Sequence, residues 1–143
     1  MKSYIICLGN RLLPEDASGP AVFDCLQKLT LPKDLEIIEG GTAGLNLLPL
    51  LEKGGRVIFV DTVSGFTNDG EIILLDQKTL MQSATNPRFG HDVGLPYVLS
   101  LLPKVCDGQM PQEIILIGLE GQCDASVIDR AAVLSVSVAV NGL

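Results

Sequence analysis

The chain has 143 residues, of which 47% are hydrophobic and 19% charged, and this predicts one folded domain over residues 1–143 with a substantial core. Its formal net charge of −7 repels phosphate backbones, so nucleic acid is not an expected partner. No apolar run approaches the roughly 20 residues that span a bilayer, and the short apolar start does not resemble a signal peptide. We therefore expect a cytoplasmic protein without membrane insertion.

The first half of the chain alternates short apolar runs with helical patterns. The runs at 4–8 and 35–39 predict strands, and the run at 56–61 predicts a central strand that ends in Asp61. A helix is predicted after Gly19-Pro20 and another over 44–52. The apolar stripe of the first of these helices consists of Val22, Cys25, Leu26 and Leu29.

The second half continues this alternation. Residues 70–76 predict a strand that is antiparallel to its neighbour because the link before it is short and rich in turn residues, and 77–90 predict a polar loop. A helix is predicted over 91–102 and a strand over 113–119. The tail fits both a strand and a helix, and we predict a helix because the alternation requires a covering element there.

This order of elements predicts an α/β fold, a three-layer α/β/α sandwich around a mostly parallel twisted sheet. The four cysteines are scattered, with neither a C-x-x-C pair nor zinc-finger spacing. We expect Cys7 and Cys25 to be buried small apolar side chains, not redox or zinc-binding groups.

Three side chains that can carry chemistry are predicted to meet at one edge of the sheet. Asp16 follows the first strand, Asp61 ends the third, and His91, the only histidine, begins a predicted helix. Ligands of such sheets bind beyond the carboxyl ends of the strands. Two carboxylates and an imidazole suit a borderline divalent ion such as nickel or zinc, and without a metal they can perform acid–base chemistry. Each residue alone is also consistent with a helix end or a turn cap.

Four short segments, in this order and spacing, resemble the nickel-iron hydrogenase maturation endopeptidases over nearly the whole chain. Residues 8–19, LGNRLLPEDASG, resemble the family's G-N-x-L-x-x-D-[DE]-x-x-G opening, and residues 39–44, EGGTAG, resemble its D-G-G-T-x-G segment. Residues 60–63, VDTV, match its strand-end aspartate, and residues 91–95, HDVGL, match its H-x-x-G/S-L helix start. The resemblance implies a phosphorylase/hydrolase-like version of the predicted sandwich.

The resemblance further implies an endopeptidase that removes a short C-terminal extension from the hydrogenase large-subunit precursor after nickel insertion. It assigns metal binding to Asp16, Asp61 and His91, which would recognise nickel supplied by the precursor. Zinc or cadmium is expected to replace nickel in crystals. Gly41 and Thr42 are implied to position the substrate.

Two departures from the family pattern concern carboxylates. Asp16 stands where several relatives have Glu, and Glu15 beside it remains an alternative ligand. Glu39 stands where Asp is common. Two catalytic routes follow: the metal polarises the scissile carbonyl and activates water, or it orients the tail while a carboxylate acts as the base. The candidate catalytic carboxylates are Asp61, Asp16 and Glu39.

Two other classes share parts of this pattern. A peptidyl-tRNA hydrolase has a similar opening but carries a catalytic histidine soon after the asparagine, where this chain has none. A receiver-type signalling domain needs a lysine at the end of its last strand, where this chain has Glu120. A dinucleotide-binding domain is less favoured than either of these classes, because the first loop lacks G-x-G-x-x-G.

Overall fold

A computed structural model describes residues 2–42, 47–52, 55–82, 103–104 and 110–143. Its strands are β1 Ser3–Leu8, β2 Leu35–Gly41, β3 Arg56–Val63, β4 Ile72–Asp76 and β5 Glu113–Glu120. Its helices are α1 Ser18–Gln27, α2 Leu48–Leu51, α3 Gln77–Gln82 and α4 Ala125–Asn141, and a 3-10 turn, Pro14–Asp16, precedes α1.

The strands form one sheet in the order β2-β1-β3-β5-β4. β1 pairs in parallel with both β2 and β3, and β3 pairs in parallel with β5. β4 pairs with β5 in the antiparallel direction. The mostly parallel sheet and its antiparallel fourth strand are confirmed.

Helices cover both faces of this sheet. One face packs against α1 and α4 through a core that includes Val22, Leu26 and Ala131. The other face packs against α2 and α3 through Leu51 and Leu80. The three-layer α/β/α sandwich and the helical tail are therefore confirmed. Among the residues that the structure describes, no helix is long and apolar enough to cross a membrane.

The winding of the chain reverses direction at β1. Helix α1 connects β1 to β2, its neighbour on one side in the sheet, and packs on one face. The connection that contains α2 then leads from β2 to β3, the neighbour of β1 on its other side, and packs on the opposite face. The loop after β1 leads to α1 on one face, whereas Phe66 in the loop after β3 packs on the other face, so the two loops diverge at the ends of neighbouring strands. We call the place between these two loops the crevice. This crevice is where an open α/β sheet binds its ligands.

The loop after β1 is packed tightly against its own strand at two glycines. A Cβ at Gly19, in the first turn of α1, would lie 1.9 Å from the Leu8 carbonyl oxygen. A Cβ at Gly9 would lie 2.3 Å from the Asp16 carbonyl oxygen, and Gly9 also has a positive φ of 137°. Only glycine lets the loop and the helix approach the strand this closely.

The structure differs from the sequence prediction at residues 77–82. They were predicted as part of a polar loop and form α3 instead. The Asp76 carboxylate accepts a hydrogen bond from the Thr79 amide at 2.8 Å and so caps the helix, while Leu80 is fully buried against the sheet. That hydrogen bond also lowers the pKa of Asp76. One cap and one buried leucine stabilise a helix too short to show a periodic pattern.

Two members of the predicted apolar stripe of α1 differ from expectation: Leu29 is not part of the helix, and Cys25 is not fully buried. The helix ends at Gln27, so Leu29 lies beyond it and is 40% exposed. Cys7 is buried as predicted, and burial raises the pKa of its thiol. Cys25 is only half-buried, and its thiol donates a hydrogen bond to Asp129 on α4 at 3.2 Å.

The helix predicted over 91–102 lies outside the described residues.

Replacement of Gly19 with alanine tests the close approach of α1 to β1. We expect Gly19→Ala to lower the free energy of unfolding by about 3 kcal/mol, because the new methyl group meets a backbone oxygen that has no room to move. Gly70→Ala is the matched control: it strains a positive φ but meets no atom within 4 Å, so about 1 kcal/mol is expected. Urea denaturation measures both values, and equal losses would contradict the packing.

Candidate active site

Asp16 is buried at the end of the 3-10 turn, with an exposed fraction of 5%. Its carboxylate Oδ2 and its backbone oxygen both accept a hydrogen bond from the Asn10 amide, each at 3.0 Å. The Asn10 side chain accepts from the Leu12 amide at 2.9 Å and closes the same loop. The carboxylate is thus held by the backbone of the loop that follows β1. Its neighbour Glu15 is exposed, which favours Asp16 as the inward-facing group of the acidic pair.

Asp61 lies near the end of β3 and is 1% exposed. Its Oδ1 accepts a hydrogen bond from the Thr62 amide at 2.8 Å. Side chains alternate along a strand, and Phe59 and Val63 belong to the core on the α2 face, so the Asp61 carboxylate lies on that face. On β5 the residue paired with Asp61 is Gly118, which places no side chain beside the carboxylate.

The structure brings the segments that carry Asp16 and Asp61 together. The 3-10 turn contacts β3, and β1 and β3 are direct neighbours in the sheet. Both carboxylates therefore lie at the crevice where the winding reverses. Two carboxylates supply oxygen ligands of the kind that a divalent ion can bind. His91, the predicted third member, lies outside the described residues.

The end of β2 reaches the same edge of the sheet. Gly41, at a positive φ of 59°, accepts a hydrogen bond from the Gly9 amide through its carbonyl oxygen at 3.0 Å. Thr42 follows it and is exposed. The predicted substrate-positioning pair is thus tied directly to the start of the Asp16 loop.

Glu39 is oriented differently from Asp61. In the register of β2 it pairs with Cys7, and Ile37, two residues earlier, belongs to the core on the α1 face. The Glu39 carboxylate accepts a hydrogen bond from Nε of Arg11 on that face. The sheet therefore separates Glu39 from Asp61, and the predicted catalytic role of Glu39 stays a prediction.

Arg11 links the loop after β1 to two other elements. Besides Glu39 on β2, it contacts Asp24 on α1 by two parallel hydrogen bonds, Nη1 to Oδ2 at 2.9 Å and Nη2 to Oδ1 at 2.8 Å. The guanidinium holds the pKa of Asp24 below its ordinary value of 3.8, and the two carboxylates raise the pKa of Arg11 in turn. Such planar two-point contacts fix direction as well as distance.

Glu120 is a third buried carboxylate at this edge, 3% exposed at the end of β5. It accepts hydrogen bonds from three consecutive backbone amides of the loop after β3, at 2.8–3.0 Å, those of Gly65, Phe66 and Thr67. Phe66 packs on the core of the α2 face. Glu120 therefore fastens the loop that follows Asp61, and it is two residues beyond the β5 partner of Asp61.

Neither Arg11 nor Glu120 was singled out as a site residue from the sequence. The partners of Arg11 are 13 and 28 residues away, and the partners of Glu120 are 53–55 residues away, so local spacing carries no signal of either. The position of Glu120 directly after the apolar run 114–119 is the hint that the sequence offers. It indicates a buried carboxylate that must find donors.

Comparison with known proteins agrees with the fold described above. The family model HycI, hydrogenase maturation protease, matches residues 20–127. The Hydrogenase 2 maturation protease of Escherichia coli (strain K12) is 31% identical over 121 residues, 83% of this chain and 73% of that protein.

Two solved structures extend this similarity to the backbone. The hydrogenase maturating endopeptidase HybD from E. coli matches with a TM-score of 0.82 at 26% identity, over 96% of this chain and 91% of that one. The hydrogenase 2 maturation peptidase from a Thaumarchaeota archaeon matches with a TM-score of 0.61 at 26% identity, over 100% of both chains.

The chain belongs to the hydrogenase maturation protease family. The resemblance on which the sequence prediction relied is confirmed, and with it protease activity of this class. The peptidyl-tRNA hydrolase and receiver-domain alternatives are set aside. Where a receiver domain needs lysine, Glu120 instead binds the loop after β3.

Glu120→Ala tests the role of the third carboxylate. We expect the free energy of unfolding to fall by about 3 kcal/mol, because three backbone amides lose their acceptor in a partly buried place. Hydrogen exchange at Gly65, Phe66 and Thr67 should accelerate before that of β3. Glu71→Ala is the control, since Glu71 is exposed and binds the same loop through Thr67 and Asn68. Unchanged exchange at the three amides would rule out the anchoring role.

Proposed function

We propose that this chain is the endopeptidase that removes the C-terminal extension of a nickel-iron hydrogenase large-subunit precursor after nickel insertion. The observation that carries the proposal is the burial of Asp16 and Asp61 on neighbouring segments at the crevice between β1 and β3. Two buried carboxylates on neighbouring segments form a negatively charged site at a ligand-binding edge. A cation brought by the substrate is the complementary charge for such a site.

In this proposal nickel is cargo of the precursor, and Asp16, Asp61 and His91 recognise it. Carboxylate oxygens and an imidazole nitrogen are suitable ligands for a borderline ion whose other coordination positions are occupied by ligands of the precursor. The hydrogen bonds from Asn10 to Asp16 and from Thr62 to Asp61 orient the two carboxylates before the substrate arrives. A nickel-free precursor lacks the cation that these three residues would bind.

The hydrolysis itself adds water across one peptide bond. A base takes a proton from the water, the oxygen attacks the carbonyl carbon, and the carbon–nitrogen bond breaks as the nitrogen receives a proton. An ion at the site supplies Lewis acidity that polarises the carbonyl. Asp61, which is buried at the crevice, is our proposed base on the route where the ion only orients the tail.

The end of β2 is proposed to hold the tail beside these groups. Gly41 and the exposed Thr42 border the Asp16 loop, to which Gly41 is hydrogen-bonded. An extended peptide can lie along this edge and contact Thr42 while its metal-bearing part faces the carboxylates. We propose that the protein acts in the cytoplasm, where its precursor would be folded and loaded.

The nickel dependence gives the decisive test of this function. We expect the purified protein to shorten a nickel-loaded large-subunit precursor and to leave the nickel-free precursor intact, because only the loaded form carries the cation that the carboxylates recognise. Mass spectrometry of the large subunit measures the cut. Equal rates on both precursors would refute recognition of nickel.

Variants of the site serve as controls in the same assay. Asp61→Asn and His91→Ala should each reduce processing by about 100-fold or more while the far-UV circular dichroism stays that of the wild type. Asp34→Ala changes an exposed aspartate at the opposite end of the sheet and should process normally. Full activity in both site variants would remove the assignment of these residues.

A further inference from the structure

The segment from Asn10 to Asp16 is a closed turn whose geometry determines where the Asp16 carboxylate lies. The Asn10 amide is bonded to both Oδ2 and the backbone oxygen of Asp16, and the Asp16 amide donates to the Leu13 carbonyl at 2.8 Å. The turn is therefore held together internally. If these hydrogen bonds open, the Asp16 carboxylate is no longer held in this position.

Arg11, which lies inside this turn, ties it to the rest of the protein. Its guanidinium contacts Asp24 on α1 at two points and Glu39 on β2 at a third. These contacts come from two elements that the core holds rigidly, since α1 is packed on the sheet and β2 is paired with β1. We call Arg11, Asp24 and Glu39 the arginine clamp.

We propose that Arg11 is a positioning residue and that Glu39 acts through it: the arginine clamp fixes the Asn10–Asp16 turn and so sets the position of the Asp16 carboxylate. The functional part of this inference rests on the function proposed above. Glu39 then has no direct contact with the scissile bond.

The position of Glu39 supports this assignment over that of a general base. A base must reach the proton that it removes, yet the Glu39 carboxylate is turned toward Arg11 on the α1 face, while Asp61 lies on the α2 face. The three clamp side chains are also partly exposed, at 33–49%. Exposed ion pairs contribute little to global stability, so clamp variants should fold and their effects should be local.

The test compares clamp variants by two independent measurements. Hydrogen exchange of the Asn10 amide, followed by NMR, reports the bonds from Asn10 to Asp16, and processing of the nickel-loaded precursor reports function. The variants are Arg11→Gln, Glu39→Ala, Glu39→Gln and the double variant Arg11→Gln/Glu39→Ala. The matched control is Glu36→Ala, at a residue on the same strand as Glu39. It breaks the exposed ion pair between Glu36 and Lys2.

We expect Arg11→Gln and Glu39→Ala each to accelerate exchange of the Asn10 amide and to lower kcat/KM roughly tenfold, since displaced catalytic groups lose rate steeply. The double variant should be no worse than the poorer single variant, because both remove the same clamp. Glu39→Gln should retain most activity, since its amide oxygen still accepts from Arg11 but is not a base. Glu36→Ala should match the wild type.

Two results would overturn the inference. If Glu39→Gln loses processing by about 100-fold or more with the Asn10 amide still protected, Glu39 is the base and not a positioning residue. If Asn10 exchange is unchanged in Arg11→Gln, the clamp does not hold the turn. Should the wild-type protein fail to cut the loaded precursor, the proposed function falls, and the Asn10 exchange still decides whether the clamp positions Asp16.

Discussion

The position of β1 between β2 and β3 is the constraint on which the rest of this structure depends. The chain crosses one face of the sheet to reach β2 and the other face to reach β3. The loop after β1 leads to the α1 face and the loop after β3 packs on the α2 face, so the two loops diverge at the ends of neighbouring strands. The crevice between them receives Asp16 from one loop and Asp61 from the adjoining strand. Gly9 and Gly19 let the first loop lie directly on its own strand, which keeps Asp16 inside the protein rather than on a mobile surface loop.

Four carboxylates at this edge have different surroundings, and the surroundings separate their roles. Glu120 is enclosed by three backbone amides and holds a loop. Glu39 is engaged by a guanidinium on the opposite face from Asp61. Asp16 and Asp61 are buried and oriented by the amides of Asn10 and Thr62, with their segments in contact. The hydrogen-bond donors around each acid, not the residue type, distinguish the candidate ligands from the structural groups.

The sequence predicted the features that local patterns encode. Continuous apolar runs gave the parallel strands, and strand ends gave the edge at which Asp16 and Asp61 lie. Helix α3 was missed because its stability comes from one cap at Asp76 and from the burial of Leu80, which depends on tertiary packing. The partners of Arg11 and Glu120 were missed for the same reason, since they are distant in the chain and only the folded sheet brings them together. The role of Glu39 was inferred from resemblance, and its contact with Arg11 comes from a residue outside that motif.

We propose that Asp16, Asp61 and His91 bind one divalent ion. Anomalous diffraction from crystals soaked in zinc tests this most directly, because zinc has the same preference for oxygen and nitrogen ligands and can stand in for the nickel of the precursor. We predict one strong peak within about 2.2 Å of a carboxylate oxygen of each aspartate and of an imidazole nitrogen of His91. A peak bound elsewhere, or a site at the two aspartates from which His91 is absent, would contradict it.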